Sequence, residues 1–292
     1  MKILIVGLIK GSQITRFQEE AQKLGHQVTG CHSKDLIIET NGEVFNPTIN
    51  GKSLSDFDLI YLCAGVESKM RLEWFVACQF LLKNTKTKIV NSVVANPNFN
   101  YYPIQSWFYL KQFENKIRSP KTYSIYSEEN LELMLKNFKL PAIMKISEMH
   151  QGKGVFLINN FQEGKDIMIK NPMKTYLLRE FIPNDGDVRI FTVGFKAVAA
   201  MKRKSAEGDF RNNISQGATG EIFDLEKNKE IKEIAQKAAK ITGIEIAGVD
   251  IMIGIDGKPY LLEVNVGPQF KGLEKYTNKN IASEIIKYFV SL

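Results

Sequence analysis

Ala247-Gly-Val-Asp250-Ile-Met-Ile253 and Pro259-Tyr-Leu-Leu-Glu263-Val-Asn265 each set an acidic residue inside an apolar run, a few residues apart. In an extended chain alternate residues share a face, so Glu263 and Asn265 point one way and Leu262 and Val264 the other. A carboxylate beside an amide oxygen, with Asp250 on a neighbouring strand, is a hard oxygen-ligand set. Such a set suits Mg²⁺, which takes one or two carboxylates and completes its shell with water and substrate phosphate. The alternative is a pair of edge-strand acids facing solvent. Each strand alone favours that alternative; the two together favour the metal, and the rest of the chain must then supply a nucleotide.

At 292 residues the chain can bury a substantial core in two or three lobes. Its 39 Lys and Arg against 32 Asp and Glu give a net charge of +7, which favours polyanionic partners such as nucleotides or acidic substrates. No long basic run or aromatic–basic interleaving accompanies that charge, which argues against a nucleic-acid role. No apolar run approaches the roughly 18 residues that span a bilayer. The apolar stretch in Met1–Gly7 is too short for a signal peptide and reads as a buried first strand. Cys31, Cys63 and Cys78 lie in or beside apolar segments without Cys-x-x-Cys spacing, as reduced thiols of a cytoplasmic protein would. His26, His32 and His150 are too scattered for a zinc site.

Apolar strands alternate with helical stretches over the first 95 residues: strands at Lys2–Val6, Gln27–Cys31, Asp58–Cys63 and Lys88–Asn91, helices at Gln13–Leu24 and Ser68–Leu82. Gly25 is placed to stop the first helix, and Asn41-Gly42 and Asn50-Gly51 mark turns. The first turn, Gly7-Leu-Ile-Lys-Gly11, is not Gly-x-Gly-x-x-Gly, so this part reads as a structural or substrate-binding lobe rather than a dinucleotide site. Asn96-Pro97 through Pro103 breaks any regular element and marks a boundary. Beyond it the expected elements are a helix at 105–115, a strand at 121–125, the helix Glu128–Phe138 capped by Ser127, and a strand pair at 141–146 and 154–158. Strands at 175–182, 188–193 and 197–202 follow, then the helix Lys229–Thr242, the two acidic strands and a final helix, 279–291.

Between the paired strands runs Ser147-Glu-Met-His-Gln151-Gly152-Lys153-Gly154, where glycines would let the backbone approach phosphate. A plain hairpin turn is the alternative, and a P-loop is excluded because its spacing and its strand–helix flanks are absent. Lys145 sits on the apolar strand Ala142-Ile-Met-Lys145-Ile, where a buried cation is costly without an anion. Glu180-Phe181 ends another apolar strand, and Asp187 and Arg189 share a face of the next, as a site or as a surface pair. Arg203 and Arg211, flanking Glu207-Gly-Asp-Phe210, could grip phosphate or carboxylate oxygens, or be solvated loop charges.

The block Glu180-Phe-Ile, Asp187-Val-Arg189, Ala199-Ala, Arg203, Glu207-Gly-Asp-Phe-Arg211-Asn-Asn213, Gly248-Val-Asp250 and Leu262-Glu263-Val-Asn265 resembles the ATP-grasp superfamily. Within it, Glu-Gly-Asp-Phe-Arg-x-Asn is most similar to the RimK-type ligases, which attach glutamate or a similar amino acid to a carboxylate. The likeness is dense from Pro141 to Pro268 and one of layout before that. It implies α/β and α+β architecture: a pre-ATP-grasp α/β domain at 1–100, a small ATP-grasp lobe with a glycine loop at 101–176, and a C-terminal lobe with the metal site at 177–292. It further implies that Lys145 contacts ATP phosphate and that Gln151, Gly152 and Gly154 belong to the covering loop. Glu180 and Phe181 would line the adenine pocket, Asp187 would lie near the ribose, and Arg211, Asn212 and Asn213 would join the nucleotide site. Asp250, Glu263 and Asn265 would hold Mg²⁺, with Mn²⁺ as a substitute, and Arg203 would face the reacting carboxylate.

One position departs from that pattern. The family has a lysine early in the helix after the boundary, about fifteen residues before Pro120-Lys-Thr122, and an ungapped count gives Gln105, with Lys111 six residues on; either Gln105 contacts ATP without charge or the count is displaced. The chemistry implied is an ATP-dependent carboxylate–amine ligation through an acyl phosphate, which needs positioning and charge neutralisation rather than a nucleophilic side chain. Competing readings are a dipeptide- or glutathione-type ATP-grasp ligase, an ATP-grasp small-molecule kinase, and a nucleotide-binding module without activity. The partners expected are ATP, a carboxylate acceptor and an amino-acid donor, with no membrane; a homo-oligomer is left open.

Overall fold

The computed structural model describes residues 1–63, 66–96, 105–147, 154–204 and 219–292. The chain opens with β1 (Lys2–Val6), α1 (Ser12–Lys23) and β2 (Gln27–Cys31), then three short strands, β3 (Leu36–Thr40), β4 (Phe45–Ile49) and β5 (Lys52–Ser53). β6 (Leu59–Leu62), α2 (Arg71–Asn84) and β7 (Lys88–Val90) follow. A parallel sheet forms in the order β2-β1-β6-β7. β6 is buried along its whole length, as a parallel strand covered on both faces must be. β3, β4 and β5 make a separate antiparallel sheet turning at Asn41-Gly42 and Asn50-Gly51. The sequence marks those turns but not the strands between them.

Next come α3 (Gln105–Glu114), β8 (Thr122–Ile125), α4 (Glu128–Leu135), β9 (Ala142–Ile146), β10 (Val155–Ile158), α5 (Phe161–Lys170) and β11 (Tyr176–Glu180). Their strands form an antiparallel sheet in the order β10-β9-β11-β8. Ser127 caps α4 as expected, its hydroxyl accepting from Asn130 N–H at 3.2 Å. One face of this small sheet, with Met144, Ile146, Tyr176 and Leu178, buries its own core together with Leu131 and Leu135 of α4. β11 pairs with both β8 and β9, so the small sheet runs past the lobe boundary expected at 176.

The remaining elements are β12 (Asn184–Val193), β13 (Lys196–Lys204), β14 (Thr219–Ile222), α6 (Lys229–Thr242), β15 (Ala247–Gly254), β16 (Pro259–Val266), α7 (Lys271–Thr277) and α8 (Ile281–Ser291). They build an antiparallel sheet ordered β14-β13-β12-β15-β16. This large sheet and the N-terminal parallel sheet share their cores. Leu4, Leu62 and Trp74 cluster with Val188, Val249 and Leu261, and Ile3, Ile5 and Phe17 cluster with Phe191, Phe270 and Phe289. Each large apolar side chain so buried contributes about 1.5–3 kcal/mol, so the shared core ties these two sheets together strongly. Asn91, fully buried and left-handed at φ 58°, adds a polar latch. Its side chain donates to Ile246 O at 3.2 Å and accepts from Ile246 N–H at 3.0 Å. The small sheet buries a core of its own.

Candidate functional site

Cross-strand register assembles the acidic residues. In β15 and β16, Asp250 faces Glu263 and Gly248 faces Asn265. On the other side of β15, Arg189 of β12 faces Asp250, and Asp187 faces Arg203 of β13. Directly opposed residues share a face, so one patch carries Asp187, Arg189, Arg203, Asp250, Glu263 and Asn265. Two glycines make room for it. A Cβ at Gly248 would lie 2.8 Å from Pro268 Cβ and 3.3 Å from Arg189 Cδ. At Gly186, with φ +132°, a Cβ would lie 2.2 Å from the Arg203 carbonyl oxygen.

The patch is a network of charge-assisted hydrogen bonds. Arg203 donates from Nε and Nη2 to the two Asp187 oxygens at 2.6 and 2.8 Å, and its Nη2 lies 3.1 Å from Asp250 Oδ2. Arg189 grips Asp250 bidentately, through Nε and through Nη2 at 2.7 Å. Asn265 Nδ2 donates to Glu263 Oε1 at 3.1 Å and to Asp250 Oδ2 at 3.5 Å, bridging the two carboxylates. Lys145 reaches across from β9 of the small sheet to Glu263 Oε2 at 3.0 Å. That ion pair joins the small sheet to the acidic end of the large one.

Burial makes these pairings consequential: Arg203, Asp250 and Asp187 are only 4%, 4% and 6% exposed. Lys145, above all, holds the Glu263 carboxyl well below the usual carboxylate range, against the opposing effect of burial. Burial pushes the Asp187 carboxyl up; the charge of Arg203 pulls against it and that of Asp250 reinforces it. Burial disfavours the Arg203 charge too, but Asp250 and Asp187 outweigh it and raise its pKa. Three cations thus meet three carboxylates among the described residues.

Asp250, Glu263 and Asn265 carry the donor types of a hard dication, two carboxylates and an amide. In this arrangement the amide turns its Nδ2 to both carboxylates, and Asp250 and Glu263 accept from Arg189 and Lys145, so a dication would require the amide to flip and those cations to yield oxygens. Among the described residues no cluster of three or more His, Cys, Asp or Glu forms a cage for one. Because the patch is charge-balanced as it stands, a dication would need further anions to accompany it.

The structure brings Lys145, Asp187, Arg203, Asp250, Glu263 and Asn265 together. Asp187, expected near a ribose, is turned into the patch with both oxygens bound by Arg203. Arg203, expected to face a reacting carboxylate, is bonded to the two aspartates. Glu180 is exposed at the end of β11, its N–H donating to Lys121 O at 2.8 Å, and Phe181 next to it is half-buried. Gly154 closes the β9–β10 connection, its carbonyl accepting from Ile146 N–H at 2.8 Å. Gln151, Gly152, Arg211, Asn212 and Asn213 lie outside the described residues. Gln105 opens α3. Alternation with Asp187 makes Arg189 a site residue or half of a surface pair; the structure makes it the bidentate partner of Asp250. Its alternation with Asp187 was the signal, and only the β12–β15 register shows which acid it meets.

Three comparisons bear on this geometry. Residues 106–289 match the RimK-like ATP-grasp domain. A probable alpha-L-glutamate ligase of Marinomonas sp. (strain MWYL1) is 30% identical over 291 residues, 94% of this chain and 89% of the relative. Another probable alpha-L-glutamate ligase, from Psychromonas ingrahamii (strain DSM 17664 / CCUG 51855 / 37), is 31% identical over 307 residues, 99% and 94% of the two chains. The ATP-grasp ligase PsnB, solved with a minimal precursor, Mg and ADP, superposes with a TM-score of 0.74 at 16% identity, covering 99% of this chain and 97% of that one.

Proposed function

This chain belongs to the RimK-like ATP-grasp family of ATP-dependent carboxylate–amine ligases, and on that premise we propose that it joins an amino acid, glutamate foremost, to an acceptor carboxylate. The observation that best supports this reading is the Lys145–Glu263 pair, which sets a cation of the small sheet against the oxygen ligands of the large one. A nucleotide between the sheets would meet that cation and that acidic end together. ATP and Mg²⁺ are the cofactors of this reading, with Mn²⁺ as a substitute to be tested. The units are the N-terminal domain at 1–100, the small lobe from 101 through β11, and the C-terminal lobe to 292.

The reaction divides into two transfers. A carboxylate oxygen takes the terminal phosphoryl group of ATP, leaving ADP and an acyl phosphate. An amine then attacks the acyl carbon, phosphate departs with the former carboxylate oxygen, and the amine loses a proton as the amide forms. When bound at Asp250, Glu263 and Asn265, Mg²⁺ would neutralise charge on the transferring phosphoryl group. Lys145 would turn from Glu263 to phosphate oxygens. Arg189 keeps Asp250 oriented by two bonds. The assignment of Arg203 to the reacting carboxylate rests on the resemblance; its guanidinium is already oriented by Asp187. The loop at 147–154 would exclude water from the acyl phosphate.

The test is a panel of carboxylates and amines incubated with the protein, ATP and Mg²⁺, scored by phosphate release and by mass spectrometry of the products. Release that needs both substrates, with an amide product and one labelled carboxylate oxygen passed to phosphate, is the expected result. Phosphate retained on a hydroxyl product would make the protein a kinase and overturn the proposal.

A further inference from the structure

Arg179 stands on β11 immediately before Glu180 and is 9% exposed. Arg189 and Arg203 each grip an aspartate bidentately. Arg179 instead donates from Nη2 to the Tyr109 hydroxyl at 2.8 Å, and its Nε has no hydrogen-bond partner. No carboxylate among the described residues forms an ion pair with it. A buried guanidinium without a counter-anion is a costly arrangement, and an incoming anion would relieve it.

Register tells where that anion would come from. Arg179 is opposite Ile143, and Leu177 is opposite Lys145. Arg179 and Lys145 therefore share one face of the small sheet, as diagonal neighbours about 7–8 Å apart. The opposite face, with Met144, Ile146 and Leu178, is filled by the lobe's own core. The Arg179 face is the one from which Lys145 reaches Glu263. Tyr109, which holds the guanidinium, lies on α3 one helical turn after Gln105, the position where a lysine is expected.

We propose that Arg179 is a nucleotide-phosphate contact, supplying from β11 the positive charge that α3 lacks at Gln105. The ligand class is the phosphate chain of a nucleoside di- or triphosphate, and the assignment rests on the ATP site proposed above. Tyr109 is a positioning residue, fixing one end of the guanidinium and leaving Nε free.

The test is ADP and adenosine binding by titration calorimetry to the full chain and to Arg179→Gln, Arg179→Lys and Arg179→Gln/Gln105→Lys, with melting curves taken without nucleotide. Losing a charge-assisted hydrogen bond should weaken ADP binding about ten- to a hundredfold in Arg179→Gln. Adenosine binding should stay unchanged, Arg179→Lys should keep most of the ADP affinity, and a lysine at 105 should restore part of what Arg179→Gln loses. The nucleotide-free melting temperature of Arg179→Gln should not fall, since an uncompensated cation has gone. ADP affinity within twofold of the wild type, or equal losses for ADP and adenosine, would overturn the assignment. If the wild-type chain itself fails to bind ADP, the ATP site as a whole is wrong, an outcome distinct from a failure of Arg179 alone.

Discussion

Arg203→Gln removes one charge from a buried set in which Arg189 and Arg203 oppose Asp187 and Asp250. Asp187 would lose the guanidinium that binds its two oxygens at 2.6 and 2.8 Å, leaving a carboxylate whose ionised form burial already disfavours. All three groups nearest the break are under a tenth exposed, so water cannot restore the balance. Breaking such a buried pair from one side costs about 3–5 kcal/mol. At about 2 °C per kcal/mol for a chain of this size, the melting temperature should fall by roughly 6–10 °C. The double variant Asp187→Asn/Arg203→Gln removes a charge of each sign and leaves Arg189 with Asp250. It should be more stable than Arg203→Gln alone, so the two substitutions should couple by about 2 kcal/mol or more. Melting curves of the wild type, both single variants and the double variant supply the cycle. A drop below about 2 °C for Arg203→Gln, or simple additivity in the double variant, would refute the charge-balance argument.

Three further outcomes follow from the same structure. Glu263 has a carboxyl pKa held below its unfolded value, so the stabilisation from its pairing with Lys145 is present at neutral pH and lost as pH falls through the folded value; melting curves of wild type and Glu263→Gln should differ by a constant amount above pH about 5 and converge in more acid solution. Burial pushes the thiols of Cys31, Cys63 and Cys78 up to about 12, so Ellman's reagent should label none of them in the folded protein at mildly alkaline pH and all of them in guanidinium; a rapid equivalent in native buffer would contradict that. Asn91→Ala strands the N–H and carbonyl of Ile246, and guanidinium unfolding should show a loss of about 2–4 kcal/mol, whereas a loss under about 1 kcal/mol would mean the latch is not needed.

Much of the site is legible in the sequence because it depends on local alternation. Glu263 and Asn265 share a face by spacing alone, and a lysine inside Ala142–Ile146 signals a buried cation that needs an anion. Pairing between strands is another matter. Asp187 and Arg189 alternate like a simple surface pair, yet each finds its partner across a different neighbour, Arg203 on β13 and Asp250 on β15. The β12–β13 and β12–β15 registers set those partners, and no local pattern announces them. The helix Phe161–Lys170 could have been found: Asn160 and Glu163 cap it reciprocally, Asn160 accepting from Glu163 N–H at 3.0 Å and donating to Glu163 Oε1 at 2.9 Å. The seven-residue helix Lys271–Thr277 is too short to show a hydrophobic period. The core shared by the N-terminal and C-terminal sheets is long-range packing, which a reading in consecutive lobes does not reveal.

The central claim is that Asp250, Glu263 and Asn265 are the metal end of an ATP site. ADP affinity measured with and without Mg²⁺, in the wild type and in Glu263→Gln, tests it most directly. Because the patch is already charge-balanced, Mg²⁺ alone should bind weakly, while Mg²⁺ with ADP should bind the wild type at least about tenfold more tightly than ADP alone. Glu263→Gln, with an unchanged circular dichroism spectrum, should lose that gain. An equal Mg²⁺-dependent gain in the variant would contradict the account.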